Sequence, residues 1–267
     1  MSDRTRLDEV LAPGGVRVVF QPIFEVIGDG VRVHSLECLS RGPKGTSMER
    51  ADVLFDYVRL KREESAVDRL CIDVALREAS NLPASTRLNI NVHASTLGRD
   101  PGFVRFMRSA AERNAIAMDR VVVEIIEHSP AWDGRSFQAA LEALRDAGVA
   151  IALDDVGIGH SNYRMILDCR PEYLKIDRYL ISGIAQDRAR QAVIESIITL
   201  ARKLGARAVA EGVEHVEDYF ALRAVGVHLV QGFLFSGPLT VQSLTKRDLF
   251  EIRPVASCSM ANTASQN

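Results

Sequence analysis

Cysteine is scarce in this chain, and the four present, Cys38, Cys71, Cys169 and Cys258, lie far apart. No C-x-x-C spacing is available for a zinc site or a redox pair, and isolated thiols suit a reducing compartment. Long apolar runs are also missing, since nothing approaches the roughly 20 residues a membrane helix needs. The opening "MSDRTRLDEVLAPGG" contains no apolar stretch of the kind a secretory leader carries. A broad field of one charge is absent too: the formal net charge is −2, which excludes the basic surface that a nucleic-acid polymer recruits. The expectation is a soluble cytoplasmic protein, with neither membrane nor nucleic-acid polymer among its partners. A small phosphorylated ligand remains open, because it needs only a local site.

What is present is ordinary for a globular chain: 47% hydrophobic and 25% charged residues over 267 positions, enough for one large α/β domain. No linker-like break separates residues 16 and 252. Residues 1–15 read as an N-terminal extension, and the small, polar residues 253–267 as a disordered tail. "VRVVFQPIFEV" (16–26) and "VRVHSLECL" (31–39) are β-rich and flank the turn "IGDG", which predicts an antiparallel hairpin. Helical spacing over 49–62 and 66–80 follows, and then strand and helix patterns alternate to a last strand, "HLVQGFLF", at 228–235. Such alternation argues for a parallel sheet, and about eight strands in roughly 240 residues suit a closed (β/α) barrel.

Nearly every predicted strand ends on a polar residue: Glu37, Asn91, Glu124, Asp154 with Asp155, Lys175 with Asp177, Glu211 and Gln231. In a barrel these ends converge on one rim, where barrel enzymes place their chemistry. Five clustered carboxylates repel one another unless cations join them. An all-oxygen donor set suits Mg²⁺ or Mn²⁺ and could admit Ca²⁺. Adjacent Asp154 and Asp155 could hold two ions, an arrangement typical of phosphodiester hydrolysis, with Lys175 placed to orient a water or meet a phosphate oxygen.

Each residue also has a plainer reading. A lone acid at a strand end is more often a helix cap or a surface charge, and "DD" before "VGIG" could be turn chemistry alone. A G-x-G-x-x-G dinucleotide loop would need glycine at position 162, which is Asn162. The six histidines share no ligand spacing and read as structural.

The motifs resemble the EAL-domain family of cyclic di-GMP phosphodiesterases over about residues 16–245. They run in order as "FQPI" (20–23), "LECLSR" (36–41), "NINVHAS" (89–95), "VEIIEH" (123–128), "ALDDVGIG" (152–159), "LKIDR" (174–178), "AEGVE" (210–214) and "QGFLFSGPL" (231–239). The resemblance implies an α/β fold, a modified TIM (β/α)8 barrel with an antiparallel first strand. It implies hydrolysis of cyclic di-GMP to linear pGpG with two Mg²⁺ or Mn²⁺ ions per site, Ca²⁺ being inhibitory. By the same resemblance Glu37, Asn91, Glu124 and Asp154 hold one metal, and Asp154, Asp155 and Glu211 the second. Lys175 binds the attacking water, and Glu37, Asp155, Lys175 and Glu211 form the catalytic set. Gln21, Leu39, Arg41, Asp177, Glu214, Gln231 and Phe235 fall at substrate-binding positions, and Glu127 at the carboxylate anchoring the loop after the two aspartates.

Some positions depart from the family pattern. Cys38 stands where alanine is usual, Gly42 where tryptophan is usual, and Val156, Ile158, His160, Asn162 and Tyr163 alter the loop that links the metal site to a dimer interface. A homodimer is expected, with a regulatory partner protein as the other source of control. The competing readings are a cyclic di-GMP-binding receptor with weak catalysis and a partner-binding signalling domain. The complete ligand set favours the enzyme.

Overall fold

The computed structural model describes residues 3–126, 134–158, 163–246, 251 and 253–255. In chain order it holds α1 (Asp3–Leu11), β1 (Arg17–Ile27), β2 (Gly30–Arg41), α2 (Ala51–Lys61), α3 (Glu64–Ala79), β3 (Arg87–His93), α4 (Ala94–Arg99), α5 (Phe103–Arg113) and β4 (Val121–Ile126). It continues with α6 (Gly134–Asp146), β5 (Ala150–Val156), α7 (Tyr163–Cys169), β6 (Tyr173–Ile176), α8 (Arg178–Ile181), α9 (Arg188–Leu204), β7 (Arg207–Ala210), α10 (Val216–Ala224), β8 (Leu229–Val230), α11 (Val241–Thr245) and β9 (Arg253–Pro254). Two units divide the chain: residues 1–20, 38–149 and 240–242, and residues 21–37, 150–239 and 243–267.

In the first unit β3 and β4 run parallel, in register from Leu88 opposite Val121 to His93 opposite Ile126. The apolar stripe of α3 carries Val67, Cys71, Ile72 and Ala75 inward. Val67 and Cys71 join Val10, Val16, Met48, Leu54 and Val58 in one apolar cluster, so the N-terminal extension contributes a helix to the packed unit. A buried carboxylate fixes the corner between β3 and α4. Asp68 accepts hydrogen bonds from His93 N (3.0 Å), His93 Nδ1 (2.8 Å) and Thr96 Oγ1 (2.6 Å). Three donors offset the desolvation of that carboxylate.

In the second unit the strands lie in the order β1-β8-β7-β6-β5. The contact of β1 with β8 is antiparallel, and β8–β7, β7–β6 and β6–β5 are parallel. Helix α9 begins where Asp187 accepts from Ala189 N and Arg190 N, and it ends at Gly205 in the left-handed conformation.

Two expectations need correction. The last strand does not run over 228–235 but stops at Val230. Gly232 then turns the chain across Val213, whose carbonyl oxygen lies 2.1 Å from where a Cβ at 232 would sit, and Val213 accepts from Leu234 N instead. The disordered tail does not begin at 253: Arg253 and Pro254 pair with Val31 and Gly30, and Val255 is buried. Residues 256–267 lie outside the described residues.

Candidate active site

Strand β6 supplies the centre of the site. Its Lys175 is 1% exposed, and an ammonium at that depth is tolerable only among anions. Lys175 Nζ lies 2.6 Å from Glu211 Oε1, 3.3 Å from Asp154 Oδ1 and 3.5 Å from Glu37 Oε1. Glu37 lies within β2, Asp154 near the end of β5, and Glu211 directly after β7.

The paired aspartates owe their arrangement to a fault in β5. Leu153 pairs with Leu174 and Val156 with Ile176, so Asp154 and Asp155 together oppose the single residue Lys175. This is a β-bulge. Asp155 takes φ +54°, a left-handed conformation that aspartate tolerates better than most residues. A regular strand would send adjacent side chains to opposite faces. Here Asp154, Asp155 and Glu211 each bring an oxygen within 4.8 Å of the others.

Electrostatics show what the cluster needs. Burial, with the negative charges of Asp154 and Asp177, pushes the Asp155 carboxyl up to about 6, against the pull of Lys175. Burial raises the Glu211 carboxyl well above its ordinary range; Lys175 opposes this, while Asp154 and Glu37 add to it. One ammonium pairs with three carboxylates and Asp155 adds a fourth, so the cluster is short of positive charge. Gln231 Nε2 donates to Glu37 Oε2 at 2.7 Å, while its buried Oε1 has no hydrogen-bond partner among the described residues. All-oxygen donors, surplus negative charge and an orphaned carbonyl fit hard divalent cations such as Mg²⁺ or Mn²⁺.

A cleft of about 200 Å³ opens over this floor. Gln21, Glu37, Asp154, Lys175, Glu211, Glu214 and Gln231 all line it, and Gln21 is steadied by donating Nε2 to Ser236 O at 3.1 Å. Two further side chains escape the sequence reading, Arg178 and Phe233, beside the glycines Gly212 and Gly232. Arg178 pairs with Glu214 at 3.2 Å, and Phe233 is 53% exposed. Both stand in motifs quoted above, but only their placement at the cleft marks them.

Phe235 is a correction. It is 2% exposed and packs on Phe24 and Tyr219 at ring separations of 5.7 and 5.5 Å, so it belongs to the core and Phe233 is the aromatic residue at the cleft. Asp177 has a structural task, its carboxylate capping α8 by accepting from Tyr179 N at 2.6 Å. Glu127 lies outside the described residues.

The first unit holds the remaining candidates. The β3–β4 register sets Asn91 beside Glu124, and Glu124 Oε1 accepts from Asn89 Nδ2 at 2.7 Å. Leu39 is half-buried near the end of β2, and Arg41 donates to Ser40 O at 2.9 Å. Gly42 is tightly enclosed: the Met48 carbonyl oxygen lies 2.2 Å from where a Cβ would be, so a large side chain there would displace the backbone of residues 47–49.

Parallel strands here carry a carboxylate cleft whose all-oxygen donors suit divalent cations, in an α/β protein. The chain belongs to the EAL domain family, whose sequence model matches residues 4–238. It is 30% identical over 250 residues to the cyclic di-GMP phosphodiesterase NbdA of Pseudomonas aeruginosa, which covers 89% of this chain and 31% of that protein. The chain spans about a third of the length of the curated relatives it matches. The structure of Klebsiella pneumoniae BlrP1 in a calcium and cyclic di-GMP complex is 30% identical, with TM-score 0.76, covering 85% of this chain and 56% of that one. A standalone EAL protein from Vibrio cholerae in its c-di-GMP bound form is 26% identical, with TM-score 0.76, covering 86% of this chain and 94% of that one. The fold class is α/β, a modified TIM (β/α)8 barrel with an antiparallel first strand.

Proposed function

We propose that this protein is a metal-dependent phosphodiesterase that hydrolyses cyclic di-GMP to linear pGpG and so lowers the level of that second messenger. The observation that carries the reading is the Asp154–Asp155–Glu211 cluster built around Lys175. Glu37, Asp154, Asp155 and Glu211 would hold the cations, with Asn91 and Glu124 as the further ligands that the motif resemblance adds. We take two Mg²⁺ or Mn²⁺ ions as the cofactors and Ca²⁺ as inhibitory. When bound, such ions supply Lewis-acid polarisation of the phosphodiester and acidify a water for attack.

The chain's own residues do the rest. Water oxygen bonds to one phosphorus, the bond from phosphorus to the 3′ oxygen breaks, and that oxygen takes a proton. The product carries a 5′ phosphate and a free 3′ hydroxyl. Lys175, a buried and charge-matched donor, orients the incoming water. Gln231 holds the Glu37 carboxylate in one rotamer through its 2.7 Å hydrogen bond. Arg41 meets a phosphate oxygen, a contact suited to a guanidinium. Gln21 and Glu214 contact the nucleotide from the cleft wall, with Leu39 as an apolar contact. The retention of every ligand in the motif favours this reading over a receptor that binds without turnover.

Incubation of the purified protein with cyclic di-GMP and Mn²⁺ or Mg²⁺, followed by chromatography, tests it. Linear pGpG should form and should vanish in Glu37→Ala. Tight binding without product in either metal would replace the enzyme by a receptor.

A homodimer, a regulatory partner and a cytoplasmic location complete the proposal. Exposed Tyr163 (76%) and Leu167 (69%), one turn apart on α7, support self-association. The buried free thiols of Cys38, Cys71 and Cys169 support a reducing compartment. Among the described residues no helix is long and apolar enough to cross a membrane.

A further inference from the structure

The second unit carries another cavity, larger than the cleft, at about 570 Å³. It opens where α9 ends and β7 and β8 begin. The site above stands at the opposite ends of the same strands, so the cavity is no part of it. Its existence follows from small residues. Ala201, Ala206 and Ala208 line it, where βα units ordinarily carry large aliphatic side chains. Ala208, Ile198 and Val225 consequently remain only partly buried at the edge of the unit's core.

The rim is ionic and sorted by charge. Glu195, Ile198, Thr199 and Arg202 recur on one face of α9, so Glu195 and Arg202 stand about 10 Å apart along the helix. Val209 pairs with Leu229 in parallel register, which sets His228 beside Ala208, one step toward the strand beginnings. Arg207 is engaged by Glu25 at 2.7 Å. Among the described residues, the side chains of Glu195, Arg202 and His228 have no hydrogen-bond or ion-pair partner. The cavity therefore offers an unpaired guanidinium, an apolar alanine lining and an unpaired carboxylate, and its volume lies in the range that holds small organic ligands.

We infer that this cavity is a second binding site, one that takes a small amphipathic anion. The flat apolar body lies on Ala201, Ala206 and Ala208. Its carboxylate, sulfonate or phosphate meets Arg202 and His228, and a donor group at the far end faces Glu195. A ligand there rests on β7 three residues before Glu211, and on the lead-in to β8, which ends beside Gln231. The site thus lies on the strands that present two residues of the cleft.

The probe is 8-anilinonaphthalene-1-sulfonate, which joins an aromatic body to a sulfonate and an N–H. Titrated into the folded full chain, it should show saturable one-site fluorescence. Arg202→Glu, a surface change, should weaken binding about 10-fold or more by reversing the charge at the anion end. Ala208→Leu should abolish it by filling the cavity, with a Tm no lower than wild type. Excess cyclic di-GMP with Mn²⁺ should not displace the probe. No saturable binding, wild-type affinity in Arg202→Glu, or displacement by cyclic di-GMP would each overturn the assignment.

Discussion

Lys175 concentrates the energetics of the cleft in one atom. Its ammonium is almost fully buried and touches three carboxylates, so the metal-free protein uses it as the local counter-charge. Lys175→Met keeps the volume and removes the charge, leaving Glu37, Asp154 and Glu211 facing one another. The loss of one partner from a buried ionic cluster costs about 3 kcal/mol. Urea unfolding in chelator should show that loss, and Mn²⁺ should recover part of it; an unchanged midpoint would mean that the cluster is already neutral. The acids themselves were legible in the sequence, because a carboxylate closing an apolar run has few plain uses when the pattern recurs on strand after strand. The aromatic contact was not. Residues 233 and 235 share a parity in a continuing strand, but pairing stops at Val230, and the turn through Gly232 sends Phe233 outward and Phe235 into the core.

Helices and strands were legible wherever periodicity was long, as in α9 and β4. Short elements escaped, because their cause is tertiary. Helix α4 starts where Asp68, from a different helix, takes the donors of His93 and Thr96, a contact between residues 25 and 28 positions apart. Helix α1 exists because Val10 packs against α2 and α3. Distant pairing of this kind also holds the lead-in to α5. Asp100 accepts from Arg69 Nε (2.7 Å) and Nη2 (2.8 Å) and from Ser65 Oγ (2.7 Å). The Arg69 guanidinium leads the groups that hold the Asp100 carboxyl below its ordinary value of 3.8. For a depressed carboxylate, stability is fully present above the ordinary value and is lost as pH falls through the lower one. Asp100→Asn should therefore lower stability by about 1–2 kcal/mol at pH 7. The Tm difference from wild type should close in acid, as pH falls below the carboxyl's ordinary value of 3.8. A difference constant with pH would assign the effect to packing.

The whole molecule should answer to divalent ions as a folding ligand. A cation that binds the native cluster and not the unfolded chain stabilises by about 2.7 kcal/mol at 100 times its Kd. Mn²⁺ should raise Tm in a concentration-dependent way, chelator should reverse the rise, and Asp155→Asn should blunt it while leaving the metal-free Tm unchanged or higher. Equal Mn²⁺ shifts in wild type and variant would place the ion elsewhere. At this scale the barrel class was readable from the alternation of elements. The cavity beneath β7 and β8 was not, since scattered alanines at 201, 206 and 208 look in sequence like ordinary helix and strand filler.

The bulge in β5 has a consequence for how tolerant the chain is of losing a residue. Deleting Asp155 would leave Asp154 alone opposite Lys175, remove the left-handed residue and restore unbroken pairing from Leu153 to Val156. A deletion inside a buried strand normally shifts every following side chain to the wrong face. Here it would heal the register. Such a shortened chain should fold with an unaltered or higher Tm in chelator while showing no Tm response to Mn²⁺ and no product from cyclic di-GMP. One surplus residue in an otherwise regular strand would then account for the difference between a sound sheet and a working cleft.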